Sequence, residues 1–503
     1  MRILFAAALV GMVTQGLPTQ GLAAPVLDTP VKDDFWMAGR AALAQRLAVV
    51  NRPKHARNVI LMIGDGMGIA TITAARIYDG QNPGDGKPRR DGEDNSLSFE
   101  TLPNLALVKT YNTNAQVPDS AGTASAMNTG VKTRIGAINF GQGQHAEACA
   151  TPEKLPRTLA EIAKSRGMAV GVVTTTRITH ATPAAVYAHV PNRNWEGADK
   201  SYAEADRTSG CPDIAAQLVN FGSAAHPGID VALGGGRARF HTRAKTGLRD
   251  DGVDLIDKWQ ARFPKGQFAD DAAAFRALKP GTPGPVLGLF TDDHLSFETD
   301  RDAAKEPSLT EMATFAVAKL KAASPKGYYL MVEGGRIDHA HHITNPYRAM
   351  TETQQFSRAV AAVLAAVNLN DTLVLVTADH SHVMTIAGYP KRGNDILGYI
   401  VNQEDGGESR APKSPEGWAL DDKGVPMTTL SYANGPREQK GLSRLLPPTD
   451  KNYLSDKLHG TENESHGGED VALFADGPGS RLVGGVIEQN VIFHIMAEAL
   501  GWR

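Results

Sequence analysis

The sequence predicts an α/β fold built on a doubly wound sheet. The first observation is a set of six near-continuous apolar segments, which are typical of strands buried on both faces. These segments lie at residues 59–63, 168–176, 231–236, 286–290, 328–335 and 372–380. The second observation is a set of segments with helical periodicity, at residues 155–164, 309–322, 347–367 and 491–500. Strands that alternate with helices in this way indicate a doubly wound sheet.

Residues 388–459 interrupt this alternation. They are rich in glycine, proline and charged residues and contain few long periodic elements. Such a stretch indicates an insertion or a small subdomain. The α/β pattern resumes with "EDVALFADGP" at residues 469–478. We therefore predict one α/β domain over residues 25–503, with residues 388–459 inserted in it.

The N-terminus has the layout of a secretory signal peptide. Arg2 precedes an apolar run at residues 3–13, and small residues then lead to Ala23 and Ala24. The run is too short to span a bilayer as a stable anchor, and a buried N-terminal helix is the weaker alternative. We predict that residues 1–24 are a signal peptide, and that the protein is periplasmic or secreted, with no membrane span.

The composition and net charge argue against a nucleic-acid-binding protein. The formal net charge is -3 at pH 7 and 42% of the residues are hydrophobic. These values are those of an ordinary globular protein and predict no basic surface for nucleic acid.

The two cysteines are Cys149 and Cys211. In an exported protein such a pair is expected to form one disulfide, and two separate buried thiols are the alternative.

Acidic and histidine side chains stand at the carboxyl ends of three predicted strands. Asp65 follows the first strand, Glu333 lies near the end of another, and Asp379 and His380 end a third. In open α/β sheets, ligands bind beyond the carboxyl ends of the strands. A ligand site is therefore expected at this edge of the sheet.

Two further segments add histidines to this set. In "GGRIDHAHH", the i, i+4 spacing of Asp338 and His342 places both side chains on one face of a helical turn. The segment "ENESHGGEDV" offers His466 in a glycine-flanked loop. The combined oxygen and nitrogen ligands suit Zn²⁺ together with Mg²⁺ or Mn²⁺. We interpret His341 and His382 as side chains of solvated turns, outside the site.

The stretch "VPDSAGTASA" at residues 117–126 surrounds Ser120 with small side chains. One interpretation is a small-residue helix packed tightly against a neighbour. The other is a nucleophile at a helix N-terminus, where free N–H groups favour an anion. Serine needs a base or a metal to become a nucleophile, and no G-x-S-x-G motif includes Ser120. The metal ligands therefore favour Ser120 as a metal-activated nucleophile.

A loop arginine supplies a candidate anion-binding group. Arg193 lies in "THATPAAVYAHVPNRNW", and its planar guanidinium can hold two oxygens of a phosphate. Without the other motifs, a lone loop arginine would be interpreted as a solvated surface residue.

These motifs together resemble the alkaline phosphatase family. The strings "VPDSAGTASA", "TTTRITHATPAAVYAHVPNRNW", "VEGGRIDHAHH", "VTADHSHV" and "SHGGEDV" occur in the family's order. The similarity extends through most of the chain and is greatest to the branch that includes the animal enzymes. The resemblance implies hydrolysis of phosphate monoesters through a phosphoserine. It implies that Ser120 is the phosphorylated nucleophile and that Arg193 holds the phosphate oxygens.

The metal ligands that the resemblance implies form three sets, two of which share one carboxylate. The sets are Asp338, His342 and His466 for a first zinc, Asp65, Asp379 and His380 for a second zinc, and Asp65, Glu333 and Thr182 for a magnesium. His180 and His339 would orient metal-bound water and phosphate without binding a metal directly.

The resemblance also implies the architecture. It implies a central mixed, largely parallel sheet flanked by helices on both faces, a small crown-like insertion at residues 388–459, and a homodimer. Cys149 and Cys211 fall where the animal branch has a disulfide. Animal enzymes carry the glutamate of an extra calcium site at the position of Thr291, so no calcium is predicted. Thr182 replaces a serine of that branch, and either hydroxyl can ligate magnesium.

Other function classes stay open at this point. A phosphodiesterase can share both zinc sites, whereas a sulfatase of the related superfamily requires a C/S-x-P-x-R context that Ser120 lacks. An exported metal- or phosphate-binding protein would account for the ligands but has no use for Ser120. A phosphomonoesterase is the prediction, because Arg193 and the magnesium ligands can neutralise the two charged oxygens of a monoester.

Overall fold

The computed structural model describes residues 36–37, 39–41, 43–44 and 55–502, apart from 85, 201, 203–209 and 404–411. The predicted signal peptide lies outside the described residues. The strands, numbered in chain order, are β1 Asn58–Gly64, β2 Asn104–Lys109, β3 Ala169–Arg177, β4 Val231–Gly235, β5 Gln267–Ala269, β6 Val286–Leu289, β7 Tyr328–Gly334, β8 Thr372–Thr377, β9 Ser381–His382, β10 Met384–Ile386, β11 Leu430–Pro436, β12 Lys457–Thr461, β13 His466–Gly467, β14 Val471–Asp476 and β15 Gly485–Glu488.

Ten of these strands form one central sheet in the order β15-β2-β14-β8-β1-β7-β3-β4-β6-β5. The strands from β8 to β5 are mutually parallel, whereas β14 runs antiparallel to both β8 and β2. The central strands β1, β7 and β8 are buried along their whole length, as their continuous apolar sequences predict. The predicted mixed, largely parallel sheet of an α/β fold is confirmed.

The described α-helices connect and cover these strands. They are α1 Ile69–Gln81, α2 Ser120–Thr129, α3 Leu159–Ser165, α4 Ala181–Ala184, α5 Ile214–Asn220, α6 Leu255–Arg262, α7 Ala272–Ala277, α8 Leu309–Ala323, α9 Arg336–His342, α10 Pro346–Ala366 and α11 Val491–Ala499. None of them is long and apolar enough to cross a membrane.

The helix predicted over residues 155–164 begins later, at Leu159. The Thr158 hydroxyl accepts the backbone N–H of Glu161, and the Glu161 carboxylate accepts the backbone N–H of Thr158. This capping box satisfies two N–H groups of the first turn and fixes the start of the helix. Residue 155 lies before that start, so this predicted boundary was wrong.

Two smaller sheets lie outside the central one. The three-stranded sheet β10-β11-β12 combines two strands at the edges of the irregular stretch with β11 from inside it, and β13 pairs antiparallel with β9. Residues Met384–Ile386 of β10 precede the predicted insertion, and β12 extends past its end to Thr461. The limits of the crown-like insertion at residues 388–459 therefore stay a prediction.

Cys149 and Cys211 form a disulfide with their Cα atoms 5.1 Å apart. The bond joins the short 3₁₀ helix Ala146–Ala150 to the segment that leads into α5. The pairing expected from an exported protein is thus present, and no free cysteine remains among the described residues.

Replacing Cys149 by serine is expected to destabilise the protein. The disulfide closes a loop with a sequence separation of 62, and loss of such a constraint on the unfolded chain costs about 4 kcal/mol. Urea unfolding of the oxidised wild type and of Cys149→Ser measures the difference. A matching Cys211→Ser variant should show the same loss, and unchanged unfolding midpoints in both variants would contradict the expectation.

Candidate active site

The carboxyl ends of three central strands bring acidic residues together. Strands β8, β1 and β7 are neighbours, and Ile63 of β1 pairs with both Glu333 of β7 and Thr377 of β8. Asp65 directly follows β1 and Asp379 follows β8 after one intervening residue, so their side chains and that of Glu333 meet at one edge of the sheet. All three carboxylates are 0% exposed. The carboxylates therefore meet at the edge where the sequence predicts a ligand site.

Around these carboxylates, the described residues form three groups whose potential ligand atoms lie within 4.8 Å of one another. We call them clusters one, two and three. Cluster one contains Asp338, His342, His382 and His466; cluster two contains Asp65, Asp379 and His380; cluster three contains Asp65, His180 and Glu333. The implied metal ligands thus lie close together, with His382 and His180 as additions.

Helix α9 and the short β9/β13 pair build cluster one. Within α9, Asp338 and His342 share a face, with Asp338 Oδ1 and His342 Nε2 3.4 Å apart. His466 of β13 pairs with His382 of β9, and its Nε2 also lies 3.4 Å from Asp338 Oδ1. The second ring nitrogen of His466 is held by the carbonyl oxygen of Pro118, at 2.8 Å.

His341 and His382 are buried, so their interpretation as solvated turn residues was wrong. His341 Nε2 contacts the Thr71 hydroxyl at 3.0 Å, and its Nδ1 contacts the Tyr432 hydroxyl at 2.9 Å. His382 belongs to cluster one, 3% exposed, because strand pairing with β13 closes over it. Burial lowers the pKa of His382, but the carboxylates of Glu464 and Asp338 outweigh burial and raise it to about 10.

Cluster two lies against the side chain of Ser120. His380 Nε2 is 3.2 Å from Asp379 Oδ2, 3.5 Å from Asp65 Oδ1 and 3.1 Å from Ser120 Oγ. The Thr123 hydroxyl donates to Asp379 Oδ2 at 3.3 Å. The hydroxyls of Ser120 and Thr123 therefore both border the potential metal ligands of cluster two, and that of Ser120 contacts His380.

The small residues around Ser120 form the first turn of a fully buried helix. Ser120 is the first residue of α2, and the Asp119 side chain caps the helix by accepting the N–H of Gly122 at 3.1 Å. Free N–H groups and the helix dipole at this end favour an anion beside the serine. The tightly packed small-residue helix is therefore confirmed, and Ser120 stands at its N-terminus; that Ser120 is a nucleophile stays a prediction.

Arg193 lies beside this helix N-terminus. Its Nη1 donates to Asp119 Oδ2 at 3.1 Å, and its Nη2 lies 3.2 Å from His180 Nε2. The backbone is fixed as well, since the N–H of Arg193 donates to the carbonyl of Gly136 at 2.7 Å. The guanidinium is thus preorganised next to Ser120 by an acid on one side and an imidazole on the other.

Cluster three contains buried polar atoms that lack a partner. Asp65 Oδ1, Glu333 Oε1 and His180 Nδ1 are buried, and none has a hydrogen-bond partner within the described part of the chain. The Thr182 hydroxyl donates to Asp65 Oδ2 at 3.3 Å and so lies in the same place. Buried polar groups normally find partners. The orphaned atoms and the oxygen-rich donor set therefore fit a bound cation.

The acidity of these carboxylates supports the same conclusion. Burial, together with the neighbouring Asp379 carboxylate, raises the pKa of Asp65 well above its usual value. Burial also raises the pKa of Glu333 to about 7. Several buried carboxylates without cations are costly, and bound divalent cations would offset that cost.

The imidazole rings of His180, His294 and His339 pack against one another, and His180 contacts Arg193. The ring of His339 lies 5.5 Å from that of His180 and 4.2 Å from that of His294. Arg336 Nη1 donates to His339 Nδ1 at 2.7 Å. The resemblance implies no metal contact for His180. In the structure, however, a ring nitrogen of His180 lies within 4.8 Å of carboxylate oxygens of Asp65 and Glu333 in cluster three. His294 was missed, because no local pattern marks a single histidine after a strand.

Thr291 occupies the position at which the animal enzymes carry the glutamate of the extra calcium site. Its hydroxyl donates to the carbonyl oxygen of Asp293 at 2.7 Å. That this region binds no calcium stays a prediction.

Comparisons with known proteins agree with this geometry. The sequence model of the family described as "Alkaline phosphatase" matches residues 56–502. The chain is 39% identical to the human tissue-nonspecific isozyme of alkaline phosphatase over 88% of this chain and 83% of the relative. It is 38% identical to the alkaline phosphatase of Gadus morhua, over 92% of this chain and 95% of the relative.

Solved structures show the same fold. The alkaline phosphatase of Thermus thermophilus is similar with a TM-score of 0.63 and 25% identity, over 90% of this chain and 93% of that one. The alkaline phosphatase of the Antarctic bacterium TAB5 is similar in fold with a TM-score of 0.59 and 22% identity, over 90% of this chain and 99% of that one.

Proposed function

The chain belongs to the alkaline phosphatase family and is a metal-dependent hydrolase of phosphate monoesters, and on this premise we propose that Ser120 carries the phosphoryl group as a covalent intermediate. The observation that supports this proposal is the position of the Ser120 hydroxyl, 3.1 Å from His380 Nε2 in cluster two and at the N-terminus of α2.

We propose two zinc ions and one magnesium ion in the three clusters. The ligand sets are Asp338, His342 and His466; Asp65, Asp379 and His380; and Asp65, Glu333 and Thr182, with His180 close enough to join the last set. When bound, these cations supply Lewis-acid stabilisation of the charge that develops on the serine oxygen and on the leaving oxygen.

The chain's own residues then account for the transfer. Ser120 Oγ loses its proton and forms a bond to phosphorus while the bond to the leaving alcohol oxygen breaks, and that oxygen takes up a proton. In the second half, water attacks the phosphoserine, and inorganic phosphate and the free Ser120 hydroxyl are released. Positioning and charge neutralisation are what phosphoryl transfer requires most.

Arg193 binds the non-bridging oxygens in both halves. Its guanidinium is held between Asp119 and His180 at 3.1 and 3.2 Å, so little side-chain freedom is lost when a phosphate binds. The N–H groups at the start of α2 add further donors. His180 contacts the arginine directly, and His180 and His339 would orient metal-bound water and phosphate.

A diesterase is the second candidate that the metal ligands permit. Arg193 favours the monoester, because a monoester presents a second charged oxygen for the fork to bind. Hydrolysis of a chromogenic phosphate monoester, the matching diester and the matching sulfate ester by zinc- and magnesium-loaded wild type distinguishes the classes. Preference for the monoester supports the proposal, and preference for the diester would overturn the substrate assignment.

Replacing Arg193 by alanine is expected to weaken inhibition by inorganic phosphate about 10- to 100-fold, because two charge-assisted hydrogen bonds are lost. Arg193→Lys should recover only part of this loss, since an ammonium group cannot bind two oxygens in a planar fork. The inhibition constant of phosphate at fixed pH measures both effects. Equal inhibition of wild type and Arg193→Ala would contradict the assigned contact.

We also propose that the protein is exported by residues 1–24 and acts as a homodimer in the periplasm or outside the cell. The disulfide between Cys149 and Cys211 suits an extracellular compartment. N-terminal sequencing of the mature protein tests cleavage near Ala23 and Ala24. Light scattering of the purified protein measures its mass, and a monomeric mass would contradict the dimer.

A further inference from the structure

Glu464 is a buried carboxylate that the proposed reaction does not use. It is 1% exposed and lies shortly before His466 in the chain. Its Oε1 accepts the backbone N–H of Val383 at 2.8 Å, and its Oε2 lies 2.5 Å from His382 Nδ1. Both oxygens of this carboxylate are therefore engaged next to cluster one.

The backbone of Glu464 contacts a second member of cluster one. Its carbonyl oxygen accepts from His342 Nδ1 at 2.6 Å, and its N–H donates to the carbonyl of His342 at 3.0 Å. A partner on one ring nitrogen fixes the tautomer and the orientation of a metal-ligating histidine. The Nε2 of His342 is thereby directed toward Asp338, at 3.4 Å.

His382 transmits the effect of the carboxylate to Asp338. Its Nε2 contacts Asp338 Oδ1 at 2.7 Å, opposite the nitrogen that contacts Glu464. Gly66 packs directly on the ring and leaves no space for it to move toward that side. A Cβ at Gly66, whose φ is +67°, would lie 2.3 Å from His382 Cδ2. Glu464, His382 and Asp338 thus form one hydrogen-bonded row.

We propose that Glu464 is a positioning residue for cluster one, holding Asp338 through His382 and holding His342 through its own backbone carbonyl. The inference rests on the proposed function in one respect, namely that cluster one binds a metal ion. In this row His382 positions the metal ligand Asp338 and does not itself bind the metal, because both of its ring nitrogens already contact carboxylates.

The substitution Glu464→Gln tests this role with little change of shape. A carboxylate accepts from both Val383 N–H and His382 Nδ1–H, whereas a carboxamide has only one acceptor oxygen. One of the two donors must then face an NH₂ group. We expect His382 to lose its fixed orientation and cluster one to bind zinc about 10- to 100-fold more weakly.

The readout is zinc affinity, measured by competition with a chromogenic chelator in the full-length protein. Glu462→Gln is the matched control, because it makes the same charge change in the same loop at an exposed side chain. The control should bind zinc as the wild type does. Wild-type affinity in Glu464→Gln would overturn the proposal.

A double substitution tests whether Glu464 acts on Asp338 through His382. In a His382→Gln background, adding Glu464→Gln should change zinc affinity by less than about twofold, because the route to Asp338 is already broken. Full additivity of the two substitutions would overturn the route through His382. Near-ultraviolet circular dichroism of the metal-free variants should match the wild type and shows that a loss of affinity does not come from unfolding.

Failure of this inference differs from failure of the proposed function. Zinc affinity is measured without turnover, so a wild type that binds zinc but hydrolyses no monoester leaves the role of Glu464 intact and overturns the function. Conversely, an active wild type with an unaffected Glu464→Gln overturns only the positioning role.

Discussion

The substitution Ser120→Ala is expected to lower kcat/KM for phosphate monoesters by at least about 1,000-fold, because no other hydroxyl can replace the nucleophile. Ser120 is the hydroxyl in contact with His380, and the neighbouring Thr123 hydroxyl is engaged by Asp379 Oδ2 and by the Asp119 carbonyl. Steady-state kinetics with a chromogenic monoester, at saturating zinc and magnesium, measures the loss.

The control for this substitution lies in the same helix. Ser125 is buried in α2, donates to the Ala121 carbonyl at 2.6 Å and accepts the N–H of Asn139 at 2.8 Å. Ser125→Ala should reduce stability but keep Ser120 and its activity. If both variants lost activity equally, disturbance of the helix rather than loss of a nucleophile would be the cause.

The substitution Asp65→Ala is expected to remove metal from two clusters at once. Asp65 is shared by clusters two and three, and its two oxygens face different groups. We expect the variant to retain cluster one, to lose at least about 100-fold in affinity for the other two ions, and to be nearly inactive. Metal content after dialysis against a weak chelator measures how many ions leave.

The control for this loss is Asp79→Asn, a carboxylate outside the three clusters that accepts hydrogen bonds from Asn95 and Gln354. It should retain all its metal. Retention of the full metal content by Asp65→Ala would contradict the shared-ligand arrangement. Loss of a single ion would show that only one of the two clusters depends on Asp65.

Much of the site follows from local sequence patterns. The continuous apolar runs of β1, β7 and β8 predict buried parallel strands. Because the carboxyl ends of parallel strands lie at one edge of the sheet, the residues that follow them are expected to meet there. Asp65, Glu333 and Asp379 were predictable for this reason. The i, i+4 spacing of Asp338 and His342 was equally informative, because it falls on a real helix.

Other parts of the site depend on tertiary pairing that no local pattern shows. His382 enters cluster one because β9, a two-residue strand, pairs with β13. Glu464 is buried although it stands in a polar stretch that reads as a loop. Strand β2, which lies between β15 and β14, was missed as well, because it leaves Leu105 and Leu107 exposed and has no continuous buried run.

Covalent transfer of the phosphoryl group to Ser120 is the central step of the proposed reaction. The direct measurement is acid quenching of wild type with a radiolabelled monoester, followed by proteolysis and identification of the labelled peptide. We expect phosphate on Ser120, in the peptide that contains "VPDSAGTASA". Label on a different residue, or rapid hydrolysis with no labelled peptide at any pH tested, would contradict it.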